Sequence, residues 1–186
     1  MRHLRRTVPL VLPLALAALV ASGCAGSAAR IHPTGSVPAA RDLARYDRLA
    51  VQVVKADDVK ATEQDLSRIR DRIVAAVRAK QPGRFREVDA PSSSDPEVPV
   101  LQVAVRITRY DKGSAFARAM LAGLGQIHVD GQVVLTDRGN GAVHGRYEVK
   151  KTFAWGGIYG ASTTIEDVEG GFAQGVTAIV LQEAVE

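Results

Sequence analysis

Leu101-Gln102-Val103-Ala104-Val105-Arg106-Ile107-Thr108 alternates large apolar residues with smaller or polar ones at strict period two, the pattern of a strand with one dry and one wetter face. The pattern recurs twice downstream. Ile127, Val129, Val133 and Leu135 alternate with His128, Asp130, Gln132 and Thr136; Val143, Tyr147, Val149 and Phe153 alternate with His144, Arg146, Glu148 and Thr152. Three such segments in succession predict an antiparallel sheet. Asp137-Arg138-Gly139-Asn140-Gly141, between the last two, is rich in residues that tolerate positive φ and predicts a hairpin.

Working outward, Arg48 to Ala56 is a short β-branched run that reads as a strand buried on both sides. The period then changes to that of a helix. Thr62 is an N-cap with Asp65 three residues on, Leu66, Ile69, Ile73, Val74 and Val77 share one face, and Pro82-Gly83 stops the run. Arg68, Arg70, Asp71, Arg72 and Arg78 fill the other faces and read as a solvated helix surface. Phe85 to Val88 is a short second strand, and Pro91 to Pro99 a loop. Ile165, Val168, Phe172, Val176, Ile179 and Val180 return to helical spacing, with Thr163 or Thr164 as cap and Gly170, Gly171 and Gly175 allowing close packing. The order β-α-β-β-β-β-α predicts an α/β (α+β) two-layer sandwich, a largely antiparallel sheet of four to five strands with two helices on one face.

The chain has 186 residues, 46% hydrophobic and 24% charged, with a single cysteine. That composition excludes a disordered chain, a disulfide scaffold and a coiled coil. Met1 to Gly23 has a basic start (Arg2, Arg5, Arg6), a thirteen-residue apolar run from Val8 to Val20, and the small residues Ala21, Ser22 and Gly23. It reads as an export signal, because a run of that length falls short of the roughly 20 residues a membrane span needs. Removing it leaves 21 basic against 20 acidic residues, too even a balance for a nucleic-acid binder. Residues 24–46 then read as the anchor and a Gly-, Ser-, Ala- and Pro-rich tether, and residues 47–186 as a single domain facing the periplasm.

Cys24 directly after Ala21-Ser22-Gly23 resembles the lipobox of bacterial lipoproteins. The resemblance implies diacylglycerol and acyl chains on Cys24 and cleavage before it. Each buried methylene contributes about 0.8 kcal/mol, so several chains anchor a protein stably. Ala25 and Gly26, where enterobacterial lipoproteins retained in the inner membrane carry aspartate, imply the outer membrane. With the thiol consumed, neither a disulfide nor a cysteine nucleophile remains.

Catalytic chemistry is not legible. His32 lies in the tether; His128 and His144, on one face of the hairpin, fall roughly 26 Å apart if Val133 pairs with Tyr147, and read as exposed histidines rather than a metal pair or an acid-base pair. No Gly-x-Ser-x-Gly elbow occurs, and Glu166-Asp167 reads as acidic residues favoured by a helix N-terminus. Gly156 to Gly160 lacks the order and the ending of a phosphate loop. No enzyme, cofactor, metal or nucleic acid is expected. Ser114 to Gln126 is different: thirteen residues with one charge stand between two strands, and on a helix Phe116, Met120 and Leu124 would form a stripe. It reads either as a crossover packed on its own domain or as an apolar contact for a partner, another copy or the membrane, with Phe116, Met120, Leu121 and Leu124 as the contact residues and Trp155, Ile158 and Tyr159 as possible neighbours.

The opening strand, the helix with its Pro82-Gly83 stop, Phe85-Arg86-Glu87-Val88, the glycine-bearing link before Ile127, the Asp137 to Gly141 turn and the closing helix resemble a domain-of-unknown-function family of bacterial lipoproteins. More distantly they are similar to the periplasmic domain of curli-secretion-type assembly lipoproteins, without that group's long amphipathic hairpins. The resemblance implies a non-enzymatic lipoprotein of the cell envelope, acting by protein contact in assembly or secretion. A carrier of a small apolar or lipid ligand, held between helix and sheet, is the alternative.

Overall fold

The computed structural model describes residues 28–35, 43–89, 99–120, 124–154 and 162–183. Within them the chain runs β1 (Arg30–Pro33), β2 (Arg48–Lys55), α1 (Glu63–Lys80), β3 (Glu87–Val88), β4 (Val100–Asp111), α2 (Ala115–Met120), β5 (Ile127–Asp137), β6 (Val143–Phe153) and α3 (Ile165–Val180). One sheet has the order β1-β6-β5-β4-β2-β3. The α+β class and the two helices on one face agree with the sequence.

Three details differ. The sheet is mixed: β2 pairs in parallel with β4, from Arg48 opposite Val100 to Lys55 opposite Ile107, and with β3. A strand, a crossing helix and a second strand of the same direction form this unit, so β2 and β4 must be parallel. Secondly, part of the supposed tether is folded. Arg30–Pro33 adds an antiparallel edge strand to β6, and Leu43 and Tyr46 are buried in the core. Ala29 docks where α3 carries Gly175, at which a Cβ would stand only 2.8 Å from that of Ala29. Thirdly, β2 is covered on both faces only at its start: Gln52 and Val54 are exposed, with no described element over that face.

α1 begins as expected. The Thr62 hydroxyl accepts from the Asp65 backbone N–H at 3.2 Å, and Asp65 accepts from the Thr62 backbone N–H at 2.9 Å, satisfying two otherwise orphaned donors. At the start of α3 the Thr164 N–H and hydroxyl both donate to Asp167, at 2.8 and 3.0 Å. Ile69, Ile73 and Val77 of α1 and Phe172, Val176 and Ile179 of α3 are all buried, as are Leu49, Leu101, Val103, Val105, Ile107, Val133 and Val149 on the facing sheet.

The sheet defines two poles. At one, β4 ends, β5 begins and β6 ends, with Asp111 opposite His128 and Ile127 opposite Phe153. At the other, the Asp137 to Gly141 turn joins β5 to β6; Gly141 N–H donates to Asp137 O at 2.8 Å.

Candidate functional site

Residues 112–120 and 124–126 of the link between β4 and β5 form a projection closed at its base. Gly113 and Gly125 face each other across its base with φ of 60° and 72°, a region that favours glycine, and a Cβ on Gly113 would meet Gly125 O at 2.3 Å. Between them Ser114 opens a short helix: the Arg118 N–H donates to Ser114 O at 3.0 Å and the Ala117 N–H to Ser114 Oγ at 3.3 Å. The one charge of the stretch turns inward. Arg118 is only 4% exposed, and its guanidinium donates to Gly125 O at 2.7 Å and to Thr163 O, just before α3, at 3.0 Å. Arg118 thus ties the projection to the helix layer.

What the projection presents outward is apolar. Phe116 is 74% exposed, Met120 68% and Leu124 57%. Burying one such side chain fully is worth about 1.5–3 kcal/mol, so three left in water are a departure from ordinary packing. Of the two readings of this stretch, a crossover packed on its own domain does not describe these three residues. Phe116 and Met120 lie in α2 (Ala115–Met120), whereas Leu124 is not helical. Leu121, like Cys24, Trp155, Ile158 and Tyr159, lies outside the described residues.

Beside the base of the projection lies a charged cluster that sequence reasoning missed. Arg68 donates through Nε and Nη2 to both carboxylate oxygens of Glu169 at 2.7 Å, and through Nη2 to Asp65 at 2.7 Å. The Tyr110 hydroxyl donates to Glu169 Oε1 at 2.7 Å, and Arg72 Nε stands 3.4 Å from Oε2. Glu169 is completely buried, so Arg68 joins α1 to α3 and is not the solvated surface residue its position suggests. Burial pushes the Asp65 carboxyl up, but hydrogen bonds from Thr62 and Arg68 outweigh it and hold it well below the usual carboxylate range. Burial, then the hydrogen bond and charge of Glu169, push the Tyr110 hydroxyl up. In α3, hydrogen bonding to its own backbone N–H and to Thr164 lowers Glu166. The cluster locks the two helices together.

At the opposite pole Tyr46 is buried with its hydroxyl between Asp137 Oδ2, to which it donates at 2.7 Å, and His144 Nε2 at 2.6 Å. Arg45 also donates to Asp137, at 2.8 Å. Burial raises Asp137, but Tyr46 and the N–H groups of Gly139 and Asn140 outweigh it and keep the carboxyl low. His144 is therefore not an exposed histidine. A bulge between Leu135 and Thr136 sets Thr136 opposite Val143 rather than His144 and so shifts the expected register by one. Val133 does pair with Tyr147 and His128 with Thr152, whose hydroxyl lies 3.0 Å from His128 Nδ1. Burial lowers His128 and raises Asp130, whose Oδ1 is buried without a hydrogen-bond partner among the described residues. Among those residues no three His, Cys, Asp or Glu side chains converge on a metal position, and no helix is long and apolar enough to cross a membrane.

The mixed sheet with its helix layer is a fold shared with a solved structure, and two further solved structures are more weakly similar. PelC from Paraburkholderia phytofirmans, a dodecamer, is 21% identical with a TM-score of 0.50, over 82% of this chain and 96% of that one. A Xanthomonas campestris protein of the DUF330 family is 11% identical (TM-score 0.49, 85% and 95% covered), and a Caulobacter crescentus protein provisionally named a lipoprotein is 17% identical (TM-score 0.38, 75% and 88% covered). No functionally curated protein matches. The class is thus a two-layer α+β domain with an apolar projection at one pole. The chain belongs to the DUF4410 family, a domain of unknown function, whose pattern matches residues 23–157.

Proposed function

We propose that this chain is a lipid-anchored cell-envelope protein of non-enzymatic type, held by acyl chains on Cys24, and that its domain works by contact in envelope assembly or secretion. The single observation that carries the contact reading is the projection: three large apolar side chains stand in water on a segment that Arg118 fastens to the body of the domain. A fastened projection loses little conformational freedom when it docks. The lipobox resemblance at Cys24 supports the anchor, and Ala25 and Gly26 support the outer membrane with the domain facing the periplasm. The distant similarity to curli-secretion-type lipoproteins supports the assembly role, and the likeness in fold to a dodecameric protein makes another copy of this chain one of the partners to test.

The test is purification of the full-length lipidated protein from its own envelope in gentle detergent, beside a Met120→Asp/Leu124→Asp variant and a Cys24→Ala control. The expected result is a contact of the wild type, whether with a stoichiometric protein partner, another copy or bilayer lipid, that the double variant loses with its circular dichroism unchanged. Full retention by the double variant would rule this surface out.

A further inference from the structure

We infer that what lies against Phe116, Met120 and Leu124 is the surface of the lipid bilayer that holds Cys24. The inference rests on the anchor reading above and names the partner of its contact site. The direction of β1 carries it. β1 runs antiparallel to β6, with Pro33 opposite Tyr147 and Arg30 opposite Lys150. Tracing the chain backwards from Pro33 to Arg30 therefore moves towards the Phe153 end of β6. Phe153 pairs with Ile127, the residue at which the chain returns from the projection. The segment leading back to Cys24 thus leaves the sheet at the pole that carries the apolar side chains.

Length makes this orientation binding. Cys24 precedes Arg30 by six residues, which reach at most about 20 Å when fully extended. The opposite pole, where β6 begins at Val143, lies seven residues from Lys150 the other way, a further 23 Å or so at about 3.3 Å per residue. An anchor on so short a link holds the projection's pole to the membrane. The tip is chemically suited to that place. Arg118 is the only charged residue between Ser114 and Gln126, and its guanidinium is turned inward, so the tip presents no charge to the bilayer. At their exposures the three side chains offer roughly 400 Å², short of the roughly 800 Å² per partner of a stable protein interface. They are enough to seat a segment about 5–10 Å into the headgroup boundary.

With its thiol acylated, Cys24 leaves the chain no other cysteine, so an introduced one is unique. Leu124→Cys and, as the distant control, Ala79→Cys in the last turn of α1 are each labelled with an environment-sensitive fluorophore. Each full-length lipidated protein is then inserted in phosphatidylethanolamine–phosphatidylglycerol vesicles, and circular dichroism confirms the fold. The expected result is blue-shifted emission at position 124, quenched several-fold by spin-labelled lipid, with neither effect at position 79. A probe at 124 that is shielded from aqueous iodide yet untouched by the lipid quencher would show that protein covers the site, overturning this inference while leaving the contact reading standing. A probe at 124 as wet as that at 79 would overturn both.

Discussion

Arg68→Met tests the charged cluster most directly. Glu169 is wholly buried, and Arg68 supplies two of its hydrogen bonds at 2.7 Å; the Tyr110 hydroxyl and the nearby Arg72 guanidinium remain after the substitution. Removing one partner of a buried ion pair costs about 3–5 kcal/mol, because the other charge is left uncompensated. The remaining donors place this case near the lower end, about 3 kcal/mol. For a domain of this size each kcal/mol lowers the thermal midpoint by about 3 °C, so a fall of roughly 9 °C is expected by circular dichroism. The double variant Arg68→Met/Glu169→Met removes both charges and should recover at least half of the loss, though Asp65 then keeps Thr62, Tyr110 and the more distant Lys112. A single-variant cost under about 1 kcal/mol, the scale of a surface pair, would refute the reasoning. So would a double variant no better than the single.

Four further outcomes follow from the geometry. Arg118→Ala leaves Gly125 O and Thr163 O without its guanidinium, so limited proteolysis should cut within residues 112–126 many times faster while the overall fold persists; unchanged cutting would mean that Arg118 does not hold the projection. Tyr46→Phe takes a donor from buried Asp137 and a partner from His144, a loss of about 1–3 kcal/mol in urea unfolding, with faster hydrogen exchange at Gly139 and Gly141; a loss below a few tenths would count against the network. Asp65 and Asp137 both titrate below their unfolded value of about 3.9, so their stabilisation is complete above about pH 5 and is lost as the pH falls through and below that value. Urea midpoints should therefore drop steeply below pH 4, and equal midpoints at pH 7 and pH 3 would contradict this. Asp130 has the opposite sign: burial favours its protonated form, so Asp130→Asn should stabilise the protein by about 1 kcal/mol at pH 7 and less as the pH falls through the carboxylate range.

The sheet was legible because β4, β5 and β6 are long and one-sided, so Val103, Val105, Val133 and Val149 declare their face by alternation alone. The caps at Thr62 and Thr164 were legible because capping is local. What escaped depends on partners distant in sequence. Arg30-Ile31-His32-Pro33 has no pattern of its own and is a strand only because β6 offers an open edge. Arg68 looks like its arginine neighbours on α1 until α3 brings Glu169, 101 residues on, against it. Tyr46 and His144 are joined across 98 residues. The projection was half legible: the missing charges marked Ser114 to Gln126, but that Arg118 points inward and Phe116 outward is decided by the Thr163 carbonyl.

The four residues of β1 also set the length of the leash. With the anchor proposed at Cys24, and while Arg30–Pro33 stays zipped to β6, the domain would hang by six residues, about 20 Å at full stretch. If β1 were peeled off, the next buried residue among those described is Leu43, nineteen residues from Cys24, a reach of at most about 65 Å. An edge strand of four residues yields more readily to tension than the clamped helices or the central strands. On the proposed anchor, the pairing of β1 with β6 therefore sets how far the domain can stand from the membrane.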